Sequence, residues 1–242
     1  MTLLANSLEG GTSGNAISAA NSGGASGNAF DSVTIGTGAT VAYDNAHAAH
    51  GGLGAQIATT GTSAAAFLQW STSMGSQTTI WFRLYAYFTA NPGVTTRLFR
   101  AIQTPSALCA ALVVTTGGLL SFQDSAGAAI ITSATAIPLN TWFRVEGFVT
   151  GSATTGQLEM KLFKTADSLT ADDTQTSTAA QNTLGAPNGY AFGQPTTTSV
   201  IGPYWEDDLA LSNVAYIGPA ATPPPPAALV VPQAAVMQAA CW

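Results

Sequence analysis

The stretch QTTIWFRLYAYFTA at residues 77–90 constrains the fold more than any other part of the chain. Ile80, Phe82, Leu84, Ala86 and Phe88 fall on one side of a pleated strand, and Trp81, Arg83, Tyr85 and Tyr87 on the other. That is a period of two, rich in β-branched and aromatic side chains, and it leaves no apolar stripe at helical spacing. TWFRVEGFVTG at 141–151 repeats it: Trp142, Arg144, Glu146 and Phe148 oppose Phe143, Val145, Gly147 and Val149. GQLEMKLFKT at 156–165 completes a hairpin with that strand. ALCAALVVTTGGLLSFQD at 107–124 breaks at Gly117-Gly118, a second hairpin signal. Asn91-Pro92-Gly93 turns the chain into 94–103, the expected partner strand of 77–90, and 204–213 reads as a late strand. Residues 166–173 offer one short turn at most. Many short strands at regular spacing predict an all-β, antiparallel two-sheet jelly-roll sandwich.

A sandwich of 242 residues fits one domain. Charged residues make up only 7% of the chain, against roughly 25% in typical soluble proteins, so Ser, Thr, Asn, Gln and glycine must supply the polar skin. A hydrophobic content of 46% excludes disorder. Six basic against twelve acidic residues give a net charge of −6, without the cationic footprint that nucleic acid or an anionic membrane requires. Apolar runs such as 108–114 fall short of the roughly 20 residues that span a bilayer. MTLLANSLEGG carries no basic n-region, so no secretory leader is expected. Cys109 is expected in the core, unpaired with Cys241.

The expected organisation is a sandwich over 1–218 and a stalk with an apolar peptide over 219–242. Pro223, Pro224, Pro225 and Pro226 predict a semi-rigid polyproline II spacer. Beyond it, an uncharged peptide carries Leu229, Val230, Val231, Val236, Met237 and Trp242. Apolar surface of this kind marks an interaction site, and the segment reads as a docking peptide for a partner or a symmetry mate.

Glu206-Asp207-Asp208 sets three acids side by side, which repel unless a hard cation or solvent offsets them. Strict alternation would put Asp207 with Trp205 and Leu209, and Asp208 with Glu206, one aspartate per face. His47 and His50 lie in a loop-like segment, with a packing role expected for His50. The chain lacks a G-x-S-x-G elbow and the closely spaced strand carboxylates of a glycosidase. Glu146 and Glu159 are expected in cross-strand ion pairs with Arg144 and Lys161. The expectation is therefore a protein that is not an enzyme. Most aromatics should be core; Tyr85 and Tyr87, sharing a face with Trp81 and Arg83, are the candidate ligand-binding residues, since sugars offer apolar faces to exposed rings.

Four segments in order carry a resemblance: SLEGG (7–11), AHAAHGGLGAQIAT (46–59), NTWFRVEGFV (140–149) and WEDDLALS (205–212). They resemble the opening, a strand entry, the tryptophan strand and the closing strand of concanavalin A-like, laminin G-like jelly rolls. The resemblance implies a structural Ca2+ joining the first and closing strands, with Glu9 and Asp207 or Asp208 as ligands. The Ala/Gly/Thr-rich, lysine-poor composition is similar to that of such domains in structural proteins of actinobacterial phages. The resemblance thus implies a virion-surface protein, a capsid decoration or minor tail protein, mounted on capsid or tail proteins through its C-terminal segment. Cell-surface glycan and a second copy of the chain are its further expected partners. The alternative is a carbohydrate-binding module or lectin of a secreted bacterial protein.

Overall fold

The computed structural model describes residues 2–61 and 64–220. Cys241, Pro223–Pro226 and the docking residues Leu229, Val230, Val231, Val236, Met237 and Trp242 lie outside the described residues. The first strands are β1 Leu3–Asn6, β2 Ser32–Ile35, β3 Ala39–Asp44, β4 Gly54–Thr60 and β5 Ala64–Trp70. There follow β6 Thr79–Tyr87, β7 Thr96–Gln103, β8 Ala107–Val114, β9 Leu119–Gln123 and β10 Ala129–Ala136. The last are β11 Trp142–Thr150, β12 Gln157–Phe163, β13 Asp173–Thr176, β14 Gly189–Thr197 and β15 Val200–Ser212. One antiparallel sheet runs β13-β12-β11-β6-β15-β4-β3, with β1 also paired to β15; the other runs β10-β9-β8-β7-β14-β5-β2. The fold is the expected all-β two-sheet sandwich.

The alternating apolar side of β6 faces the second sheet. Phe82 stacks on Phe99 with ring centroids 4.2 Å apart and meets Phe122 edge-on. Buried rings with polar handles are satisfied by backbone: Trp70 Nε1 donates to Ala29 O, Tyr190 to Pro187 O, and Tyr204 to Arg97 O. Cys109 is buried and free. The hairpins β8–β9 and β11–β12 form as expected. Residues 94–103 do not pair with 77–90: β7 lies in the opposite sheet, and β6 pairs with β11 and β15. The segment between β6 and β7 crosses from one sheet to the other, so Phe82 and Phe99 meet across the core instead of along a ladder.

β15 organises the site. On one side it pairs with β6; on the other it pairs first with β4 over Val200–Glu206, then with β1 over Leu209–Ser212. Asp207 and Asp208 fall in the gap between those two partners. A bulge between Asp207 and Ala210, with Asp208 at φ 46°, breaks the alternation there. The expectation of one aspartate per face is corrected accordingly. Glu206, opposite Ala86 and Ala55, faces inward, while both aspartates reach the loop at residues 45–53.

Candidate functional site

Antiparallel register aligns the outward side chains of β15, β6, β11 and β12 into four cross-strand rungs. The first is Trp205, Tyr87 and Trp142; the second is Asp207, Tyr85, Arg144 and Phe163. The third is Ala210, Arg83, Glu146 and Lys161, and the fourth is Ser212, Trp81, Phe148 and Glu159. Three of the chain's six basic residues therefore share this face.

The first rung is an aromatic platform. His47 stacks on Trp205 at 3.8 Å and lies 4.7 Å from Tyr87, which is 5.6 Å from Trp142. Trp205 Nε1 donates to Asp44 Oδ2 at 2.5 Å. Burial pushes Asp44 upward, but hydrogen bonds from the Ala46 N–H, Trp205 and His47 outweigh it and hold the carboxyl below its ordinary value. Tyr87, Trp142 and His47 remain half-buried, so their rings reach solvent.

The middle rungs form a polar cluster. Arg144 donates to Ala166 O and, at 2.8 Å, to Ser168 O, while its guanidinium stacks 3.8 Å from the Phe163 ring. Gripping the carbonyls on either side of Asp167 aims that carboxylate back at the sheet. Asp167 Oδ1 accepts the Tyr85 hydroxyl at 2.8 Å, and Oδ2 lies 3.1 Å from His50 Nε2. His50 Nδ1 lies 2.5 Å from Asp208 Oδ2. Burial alone would lower the His50 pKa; hydrogen bonds to Asp208 and Asp167 outweigh that and raise it. Burial raises Asp208, and together with Asp208 it pushes Asp207 well above the carboxylate range.

The expected metal ligands bracket one loop. Asp207 Oδ2 accepts the Ala49 N–H at 2.8 Å and the His50 N–H at 3.4 Å. Glu9 accepts the Gly52 and Leu53 N–H groups at 3.0 and 2.9 Å. These carboxylates are turned toward N–H donors, and among the described residues no group of three or more His, Cys, Asp or Glu could hold a metal ion. The donor set fits a clasp on residues 45–53 better than a calcium shell.

Residues 214–220 cross above the polar cluster. Gly218 N–H donates to Glu146 Oε2 and Gly218 O accepts from Arg83, both at 3.1 Å. Ala220 N–H donates to the Tyr85 hydroxyl at 2.8 Å, and Tyr216 donates to Glu159. Between this segment and residues 169–171 opens a cleft of about 630 Å³ with Arg144, Glu146, Lys161 and Phe163 among its walls. Tyr85 is 0% exposed, and burial pushes its hydroxyl up to about 12. Of the two tyrosines expected to meet ligand, Tyr87 stands on the open platform and Tyr85 lies beneath this segment.

The expected cross-strand ion pairs form along the strands instead. Arg144 Nε is 2.8 Å from Glu146 Oε1, and Lys161 Nζ is 3.4 Å from Glu159 Oε1. Glu146 and Lys161 are directly opposite, but Lys161 leans 3.5 Å over the Tyr216 ring. Asp44, Asp167 and Tyr216 carried no signal in the sequence. Their distant partners are brought near only by the fold: Trp205 for Asp44, 161 positions away, Glu159 for Tyr216, and His50 for Asp167, 117 positions away.

No family model matches the chain, and no curated protein sequence matches it. Solved structures do. An endo-β-1,4-glucuronan lyase from the fungus Trichoderma reesei is similar at TM-score 0.56 and 11% identity, over 76% of this chain and 90% of that one. A cellulose-induced protein, Cip1, is similar at TM-score 0.56 and 14% identity, over 76% and 89%. At this identity the likeness shows the fold alone. It nonetheless corrects the expectation of a protein that is not an enzyme. That expectation rested on missing hydrolase signatures, and one of these similar sandwiches is a lyase, whose chemistry those signatures do not test.

Proposed function

We propose that this protein is a glycan-engaging β-sandwich displayed on a virion surface, and that its saccharide contact is the outer face of the eight-stranded sheet. The platform of Trp205, Tyr87 and Trp142 carries the reading. The half-buried rings of Tyr87 and Trp142, backed by the buried Trp205 and beside interleaved cations and carboxylates, match a ligand with one apolar face and a hydroxyl-rich edge. The names of the two similar structures, a glucuronan lyase and a cellulose-induced protein, support carbohydrate as the ligand class. The virion mount is supported by the phage-like composition and the proline-rich segment; co-sedimentation with particles, with and without residues 219–242, tests it.

The test of the glycan reading is a polysaccharide array followed by calorimetry. Tyr87→Ala and Trp142→Ala are each expected to weaken binding about 10-fold, as loss of one stacking ring would. Unchanged affinity in both variants would remove the platform from the account.

A second reading is elimination on a uronic-acid polymer. It is favoured by His50 beside Tyr85, ring centroids 5.2 Å apart, with Arg83 and Arg144 on the same face. In that reaction a base takes the proton next to the sugar carboxylate, a C=C bond forms, and the departing glycosidic oxygen receives a proton. An arginine would neutralise the carboxylate, and residues 218–220 would have to lift from Tyr85. The same panel, read for unsaturated product, decides it: product that disappears in Tyr85→Phe supports elimination, and none from any uronate polymer rejects it.

A further inference from the structure

We propose that Arg97 and Arg100 form a second binding site, for an oxyanion, on the outer face of the seven-stranded sheet. In a regular strand, residues three apart point to opposite faces. β7 is not regular here: a bulge between Arg97 and Phe99 opposite β8 sets Arg97 against Val113, Phe99 against Leu112 and Arg100 against Ala111. Leu98 and Phe99 both enter the core, which leaves the two arginines together on the outside.

Among the described residues their surroundings supply no counter-charge. Val113, Ala111 and Ala191 pair with them in register, and Phe67 lies 4.6 Å beneath the Arg100 guanidinium. Among the described residues neither arginine has an ion pair, and the Nε of each is buried without a hydrogen-bond partner. Burial and the neighbouring Arg97 charge push Arg100 down to about 10. Beside Arg97 lies a recess of about 260 Å³, lined also by Thr95, Gln123, Gln194 and Thr197. Two like charges held side by side with unused donors, in a chain of net charge −6, are stabilised by an anion that both can reach. The guanidinium fork suits a carboxylate, sulfate or phosphate, free or carried on an acidic sugar.

Thermal shift and NMR titration of the full chain with sodium sulfate, sodium phosphate and sodium glucuronate, against sodium chloride at equal ionic strength, test this. The wild type should show a saturable rise in Tm and shifts at Arg97 and Arg100. Arg97→Gln and Arg100→Gln should each lose at least about tenfold in affinity, and Lys164→Gln should match wild type. Response to sulfate or phosphate supports the site and shows that the bare oxyanion suffices; response to glucuronate alone supports it and shows that the sugar is read as well. In chloride, Arg100→Gln should melt no lower than wild type, since it removes a like-charge neighbour. No saturable response in wild type overturns the proposal, as does an equal response in both arginine variants.

Discussion

Glu206 sits at 0% exposure with neither carboxyl oxygen hydrogen-bonded. Burial pushes its pKa well above the ordinary value. A carboxyl whose folded pKa is raised favours folding fully below its unfolded pKa, and that contribution is lost as pH rises through the folded pKa. Asp207 and Asp208, raised by burial, and His50, raised by its carboxylates, act in the same direction. Asp44 and Asp167 are held low and act oppositely, losing stability as pH falls through their folded values. Glu206→Met is expected to stabilise the fold by about 1–3 kcal/mol at pH 8 and by less at pH 5, as removal of an unsatisfied buried group predicts. Urea denaturation at both pH values measures it; a loss of stability at both would mean that Glu206 has a partner this account omits. The inward side of β6 was legible residue by residue, because alternation alone decides it. The facing of Glu206 and Asp208 was not, because the bulge exists only where β4 and β1 share one edge of β15.

At the scale of elements, β6 and the β8–β9 and β11–β12 hairpins announce themselves locally, whereas the covers of the site do not. The loop at 164–172 takes its shape from Arg144, and residues 214–220 take theirs from Arg83, Glu146 and Tyr85. Each is a long-range contact with no periodic signature. Gly218 adopts φ 78°, a left-handed conformation that costs other residues roughly 1–2 kcal/mol. Gly218→Val should therefore loosen the segment while leaving the sandwich folded. Amide exchange should quicken at Gly218 and Ala220, which donate to Glu146 and Tyr85, and stay unchanged in β8 and β9. Unchanged exchange at both amides would show that this segment is held by contacts other than those described.

The whole molecule is a neutral-skinned sandwich with chemistry on both outer faces. Aromatic and charged rungs mark the eight-stranded sheet, and an uncompensated arginine pair marks the other. The fold class was readable because period-two strands with glycine turns admit few other packings. The site was readable only as a face: Tyr87 could be placed on it, but the covering of Tyr85 could not. The most direct measurement is an amide chemical-shift map of the full chain titrated with the best-binding oligosaccharide from the array. The account predicts shifts concentrated at Tyr87, Trp142 and Trp205, extending to His47. Binding that leaves those residues unmoved would contradict it.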